Sequence, residues 1–552
     1  MTASMESHCL PFREIPHTTK LFSTFLDDFG RVSSYYAHPP TAVGVDSAAR
    51  EVRIDPGVRR LVVEVLREQN RGFAPGGEMD PATSRNLDRL AAGGFAIVTG
   101  QQVGLFSGPA YTFYKALSAV RCAEDATIRG IDAVPVFWLA TEDHDLAEVN
   151  HSSWCTRNGL ARYELPPQPE ESGRRVGEII LGDGIESVVG VAAQTLEGAF
   201  AAETSRALHE SYTPRDTFGS SFGKLMARLL AGRGLIILDQ LDPRLHRLFT
   251  PIFSQAILKA GELRAGLLAR SKELEGSDFH AQVKVTRETT LLFSTVAGRR
   301  EPIHSRNGGF IVGDTEISAG QLVDAIEKEP EKFSPSALLR PALQDTILPT
   351  AAYIGGPAEI AYMAQAHVVY ETLGVRMPAI LPRATFTIIE PPIARFLAQY
   401  GLDLRDLLAG HQHLRAKMEQ QSLPGALASR FDAGEDEVRR MMKSFEEPLA
   451  KLDATLVESL RTAESKMLHQ ITQLKGKVAR AENFRSGVLD RHERILIDSL
   501  APHGELQERT LCLLPQLAAS GPELLDNLAS LSSVAGTGER SSCANQHQVL
   551  FL

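Results

Sequence analysis

Cysteine is scarce: five in 552 residues, at Cys9, Cys122, Cys155, Cys512 and Cys543, with no two in a C-x-x-C pair. That spacing excludes a zinc ribbon and a dithiol redox motif. Five scattered cysteines read as free thiols in a reducing compartment. Long apolar runs are also missing. None approaches the roughly 18 residues that a spanning helix needs, so no membrane association is expected. The opening MTASMESHCLPFREIP lacks the basic-then-apolar pattern of a secretory signal, which points to a cytoplasmic site. Positive charge is not in excess either. Lys and Arg total 58 against 68 Asp and Glu, a net charge of -10, which argues against a nucleic-acid partner. What remains, with 43 % hydrophobic and 23 % charged residues, is an ordinary globular composition, with length for roughly two to four domains.

The first ninety residues read as mostly helical, with Leu61, Val62, Val65 and Leu66 at helical spacing before Gly72, Pro75, Gly76 and Gly77 break the pattern. A strand-like run, Phe95 to Val98, feeds a glycine-rich turn, TGQQVGLFSGP, with Pro109 expected at the first position of the next helix. A second buried strand, Val134 to Leu139, leads into TEDHD. Strand, turn, helix, strand opens a doubly wound α/β sheet, whose ligands sit at the carboxyl ends of its strands. The sheet pattern returns at Leu235 to Asp239, at Ala351 to Ile354 and in the run ending LPRATFTII. Two insertions are expected, at about 156–233 and 280–335, the second containing hairpins through Val283, Val285, Leu291 to Phe293 and Phe310 to Val312. Residues 1–390 thus read as the core with its helical N-terminal segment, 391–500 as a helical domain, and 501–552 as a segment returning to the core. Apolar residues from Val438 to Ala481 recur every 3.6 residues or so, which predicts one long, weakly supercoiled helix. A partner helix over Ile393 to Gln420, beyond an interruption at Leu423-Pro424-Gly425, or a second copy of the chain, would cover its stripe. Ser532 to Ser542 is of low complexity, and the closing HQVLFL reads as an edge strand.

Three regions carry candidate chemistry. The turn Thr99, Gly100, Gln101, Gln102 through Ser107 and Gly108 to Tyr111 fits neither the dinucleotide fingerprint nor the phosphate loop. It is either a tight connection or a backbone N–H cradle for an anionic or polar ligand at a helix N-terminus. Lys115 lies about two turns into the following helix, which leaves its reach to the turn open. Glu142, Asp143, His144 and Asp145 form the densest ionisable cluster, where neighbouring groups shift one another's pKa and supply a base. His144 is the expected base and Asp143 or Asp145 its orienter, with Asp143 the other candidate. Helix capping is the plainer alternative. His144, Glu148 and His151 share one face if this stretch is helical, a weak metal signal, and no metal is expected. Asn150 and His151 are candidate substrate contacts. Arg340, Gly355, Gly356, Glu359 and Arg383 complete the set: each arginine needs an anion, from protein or substrate, and the glycines permit close approach.

Four stretches, TGQQVGLFSGPAYTFYKA, VPVFWLATEDHDLAEVNH, LLRPALQDTILPTAAYIGGPAEIAYMAQ and MPAILPRATFTIIEP, together resemble the cysteine-adding enzymes of bacillithiol biosynthesis. The resemblance runs almost end to end. It implies a Rossmann-like core with two connecting-peptide insertions and a C-terminal coiled coil that promotes a homodimer. The implied reaction joins the carboxyl group of L-cysteine to the amine of glucosaminyl-malate. Activation of that carboxyl implies ATP, through an acyl phosphate or an adenylate. The HIGH and KMSKS signatures of the class I aminoacyl-tRNA synthetases, whose core is similar, are absent. A rival of another class is a nucleotide-responsive scaffold that presents its coiled coil to a partner.

Overall fold

The computed structural model describes residues 6–306, 308–421, 425–532, 543 and 545–552. Residues 8–386 and 508–548 form one compact unit; residues 387–507 with the two chain ends form another. In the first, five strands make a parallel sheet: β1 (Phe95–Gln101), β2 (Ala133–Leu139), β3 (Ile236–Asp239), β4 (Thr350–Gly355) and β5 (Ala379–Pro382). Their order is β5-β4-β1-β2-β3, with every neighbouring pair parallel. The chain builds from β1 to β3 in one direction, then restarts on the other side of β1. That reversal opens a crevice beyond the carboxyl ends of β1 and β4, where doubly wound sheets bind their ligands. All seven residues of β2 are buried, as expected for a strand covered on both faces.

Helix α1 (Tyr111–Ile128) crosses from β1 to β2, and α2 (Pro357–Leu373) from β4 to β5. Small side chains let α1 sit close to the sheet: Ala119, Cys122, Ala123 and Ala126 share a core with Ala351, Ala352 and Ala379. Two details differ from expectation. Strand β1 runs on through Thr99, Gly100 and Gln101, because the parallel ladder with β2 continues to Leu139. Pro109 lies two residues ahead of α1 rather than at its first position.

Between β2 and β3 come an antiparallel hairpin, His151–Thr156 with Gly159–Glu164, and three helices, Gly184–Ala193, Ala201–Ser211 and Phe218–Leu229. Between β3 and β4 come helices Pro243–Leu258 and Ala260–Gly276 and a five-stranded antiparallel sheet that starts at Thr289 and ends with Phe333–Pro335. Val283 and Val285 are not in it; the Val283 N–H donates to Gln365 Oε1 instead. The C-terminal strand, His547–Phe551, is the middle rather than the edge strand of a three-stranded sheet, between Glu6–Leu10 and Phe386–Ile389. Of the expected low-complexity piece, Ser533 to Ser542 lies outside the described residues. The thiols are not all free: Cys9 and Cys543 form a disulfide, while Cys122, Cys155 and Cys512 are reduced.

In the second unit the expected single helix is two, α3 (Gly425–Leu452) and α4 (Leu456–Ser486). Between them the Asp453 carboxylate accepts from the Thr455 N–H and hydroxyl, closing a tight turn. The two helices are antiparallel, with ion pairs Arg461–Glu446 at 3.8 Å and Lys475–Asp432 at 2.9 Å. The stripe therefore folds back on itself. The expected partner over Ile393 to Gln420 is broken into Pro391–Tyr400, Leu404–Leu408 and His411–Gln421, the first ended by Gly401 at φ 58°. Leu423 and Pro424, expected to interrupt, lie outside the described residues. No helix among those described is long and apolar enough to cross a membrane.

Candidate active site

A cavity of about 440 Å³ lies in the crevice beyond β1 and β4, within the usual size range for a small-molecule site. Gly100 and Gln101 at the end of β1, Gln102, Asp143 and Glu148 line one part of it. Tyr353 at the end of β4, Gly356 to Glu359 at the start of α2, Tyr362 and Arg340 line another. Tyr111, Lys115, Trp138, Arg383 and Arg509 complete the wall.

Lys115 settles the question of its reach. Helical side chains lean toward the N-terminus, and its Nζ donates to Gly100 O and to Gln101 Oε1, both at 2.8 Å, and pairs with Glu359. Burial lowers its pKa, and Glu359 partly offsets that. Glu359 caps α2 by accepting from the Gly356 N–H at 2.8 Å, and also accepts from the Tyr353 hydroxyl at 2.6 Å. Burial alone would raise its pKa, but Lys115 and these donors outweigh it and hold the carboxyl below its ordinary value. This buried knot ties β1, β4, α1 and α2 together at the floor of the cavity.

Arg340 is different. Its guanidinium donates to Tyr362 Oη at 2.7 Å, Tyr353 Oη at 3.4 Å and Gln344 Oε1 at 3.3 Å, all neutral partners. Burial would lower its pKa, but Tyr362, Tyr353 and Glu359 raise it further above the ordinary value, so the cation persists. Arg383 follows the plainer alternative: Glu508 takes its guanidinium in a fork at 2.7 and 3.0 Å, and Tyr111 lies under it at 5.3 Å.

Across the cavity the Gln102 amide donates to both Asp143 Oδ2 and Glu148 Oε2 at 2.6 Å. Burial would raise the Asp143 pKa. Hydrogen bonds from His144 and Gln102 and the Arg300 charge overrule it and hold the carboxyl far below the ordinary range. Two carboxylates tied by one amide make an acidic wall facing a cavity that also exposes a guanidinium. That polarity suits a zwitterion: ammonium on one side, carboxylate on the other.

Several expected site residues stand elsewhere. His144 does not line the cavity; its Nδ1 lies 3.0 Å from Arg300 Nη1. The same Nδ1 lies 3.5 Å from Asp143 Oδ1, and the His144 backbone N–H donates to that oxygen at 2.8 Å. Asp145 caps the short helix Leu146–Val149, as the capping alternative has it. That helix ends before His151, which begins a strand, so His144, Glu148 and His151 share no helical face. Glu142 is buried away from the cavity beside His246. Asn150 donates to Leu165 O and Glu164 Oε1, fastening the hairpin. The Thr99 hydroxyl donates to Ile354 O, between strands. Gly355 lies behind the cavity wall rather than in it.

The turn divides: Gly100, Gln101 and Gln102 line the cavity, while its second half folds away from it. Phe106, Ser107 and Gly108 all have positive φ, which turns the loop inward. Phe106 packs on Trp154 and Tyr212, and the Ser107 N–H donates to Tyr212 Oη. Near the start of α1, the Ala110 N–H donates to Leu511 O and the Thr112 N–H to Pro109 O. Conversely, Lys115, Glu148, Tyr353, Tyr362 and Arg509 line the cavity without having been singled out as contacts. The signal for Tyr362 was in YIGGPAEIAY: it stands three residues after the candidate Glu359, on the same face of α2.

Residues 5–384 match the family described as "Bacillithiol biosynthesis BshC, N-terminal Rossmann-like domain", and residues 386–550 match "Bacillithiol biosynthesis BshC, C-terminal coiled-coil domain". A protein named "Putative cysteine ligase BshC" from Koribacter versatilis is 39 % identical, over 96 % of this chain and 98 % of its own. Proteins of the same name from Solibacter usitatus and Salinibacter ruber are 34 % and 30 % identical, over 94 % and 92 % of this chain and 96 % and 93 % of theirs.

Proposed function

The chain belongs to the BshC family of bacillithiol biosynthesis, and from that premise we propose that it is a ligase joining the carboxyl group of L-cysteine to the amine of glucosaminyl-malate. The observation that supports this reading is the polarity of one cavity, with the Gln102-linked carboxylates on one wall and Arg340 on another. In the proposed pose Arg340 takes the cysteine carboxylate, and Asp143 takes an ammonium. Tyr353 and Tyr362 hold the guanidinium in place, so its fork is oriented before substrate arrives.

An amide from a free carboxylate needs an activated acyl group, and ATP is our proposed activator: when bound, it turns a carboxylate oxygen into a leaving group. The inward-folded second half of the Thr99–Gly108 turn does not fit a phosphate chain. Arg509 and the first turn of α2, which line the cavity, would take it, leaving Arg340 to the cysteine carboxylate. The attacking amine must also lose a proton. Asp143 is too acidic to take it and serves as an anchor. Glu148, the more exposed carboxylate of the wall, is the proposed acceptor in place of His144.

We place the enzyme in the cytoplasm, acting on small molecules rather than nucleic acid or membrane. We further propose a homodimer through the coiled coil, because Met441, Phe445, Met467 and Leu474 are left exposed on α3 and α4. The test is mass spectrometry of purified protein with cysteine, glucosaminyl-malate and ATP. A cysteinyl amide product that requires all three supports the assignment, and no product under any nucleotide contradicts it.

A further inference from the structure

Beneath the acidic wall lies a second charged cluster that the proposed reaction does not use. Glu142, the residue before Asp143, is 3 % exposed, and His246 on the helix Pro243–Leu258 is wholly buried. The His246 Nε2 lies 3.2 Å from Glu142 Oε1. Its Nδ1 lies 3.2 Å from the carbonyl of Pro330. A carbonyl only accepts, so Nδ1 carries a proton, and a neutral ring would then turn a lone pair toward the carboxylate. Both nitrogens lie within 3.2 Å of an acceptor oxygen, an arrangement that favours one more proton on the pair than a neutral imidazole and an ionised carboxylate would hold.

Both insertions converge on this pair. Arg175 Nη1 stands 4.0 Å from Glu142 Oε1 and donates to Glu331 O at 3.0 Å. The backbone next to Arg175 is fastened to the segment after β2: Gly177 N donates to Thr141 O at 2.9 Å, and Val176 N to Asp143 O at 2.7 Å. From the antiparallel sheet, Arg300 reaches the His144 ring, and Pro330 lies in the same insertion. The charges that bear on His246 are Glu142 after β2, Arg175 from the first insertion and Asp242 at the cap of its own helix, while Arg300 from the second bears on Glu142. Burial lowers the His246 pKa, but the Glu142 contact and the Pro330 carbonyl raise it to a net value above the ordinary one.

We propose that His246 is a positioning residue: with its second proton it fixes Glu142, and through Glu142 the backbone that aims Asp143 into the cavity. The inference rests on the assignment of Asp143 as an ammonium anchor. Because the folded-state pKa is raised, the imidazolium contact is complete below the ordinary histidine value and is lost as pH rises through the folded value. Substrate affinity then weakens on the alkaline side before the chemistry does.

The test uses the full-length protein and two readouts. Histidine C2-proton exchange followed by mass spectrometry gives the titration of His246 without reference to activity. A midpoint above about 6.5 that falls in Glu142→Gln supports the proton-sharing pair; a midpoint at or below it, or one unmoved by Glu142→Gln, overturns it. The second readout is the pH dependence of the KM for cysteine in the parent and in His246→Gln, whose amide donates to Glu142 without titrating. The expected result is a KM in the parent that rises about tenfold on the alkaline side while kcat moves less, and a variant whose KM loses that pH dependence. Identical KM profiles overturn the positioning role. If the exchange midpoint behaves as expected and Asp143→Asn leaves KM unchanged, the failure lies with the anchor assignment instead, and the positioning role falls with it.

Discussion

In the proposed pose recognition turns on Arg340, whose hydrogen bonds go to phenols and an amide rather than to a carboxylate. Arg340→Lys keeps the charge but loses the planar fork, and is expected to raise the KM for cysteine by about 10-fold or more in steady-state kinetics, with a smaller change in kcat. Arg383→Met asks a different question. That side chain is buried against Glu508, so leaving the carboxylate unpaired should cost about 3–5 kcal/mol in denaturant unfolding. Gly100 is constrained by its own sheet: a Cβ there would meet Trp138 O at 2.7 Å. Gly100→Ala is thus expected to lower stability by about 1–3 kcal/mol, whatever it does to binding. Residue chemistry was half legible in the sequence. The motifs mark which segments reach the cavity, since Gln101, Gln102, Asp143, Arg340, Gly356, Glu359 and Arg383 all line it. They do not mark which side chains in a segment turn inward. Glu142, Asp143, His144 and Asp145 are four adjacent ionisable residues with four different surroundings, and only tertiary contacts assign them.

At the level of elements, buried parallel strands are the most readable feature, because apolar runs such as Val134 to Leu139 have few other uses in a globular chain. The hairpin of α3 and α4 was not readable as such. Leu452 and Leu456 keep the apolar phase on either side of Asp453, Ala454 and Thr455, so periodicity runs through the turn. Its only local sign is the Asp453–Thr455 pairing. Leu452 is 80 % exposed at that turn and is a poor probe of the interface. Phe445 is the better one, at 49 % exposed on the body of α3. If the hairpin dimerises, Phe445→Glu should convert a dimer to a monomer in light scattering, since burying an unpaired charge outweighs the roughly 1.5–3 kcal/mol gained from an apolar side chain. An unchanged dimer would place the interface elsewhere.

Over the whole molecule, the sheet order and the insertions put both polar walls at one switch point, and the same fold shields its thiols. Burial pushes the Cys122 thiol up to about 12 and the Cys512 thiol up to about 11, so neither forms an appreciable thiolate near neutrality. With Cys9 and Cys543 joined, Cys155 alone should react quickly with a thiol reagent in the native protein, and prior reduction should add two equivalents. The carboxylates set the acid side. Asp143 has a folded-state pKa well below its ordinary value, so its contribution to stability is present above about 3.9 and is lost only as pH falls through the lower folded value. Substrate affinity should accordingly show no titration of Asp143 at or above pH 5 or so. The most direct test of the account is a crystal structure of the protein soaked with L-cysteine. Cysteine is expected in the cavity beyond β1 and β4, with its carboxylate on Arg340 and its ammonium against Asp143. Cysteine bound anywhere else, or in this cavity with the two ends reversed, would contradict it.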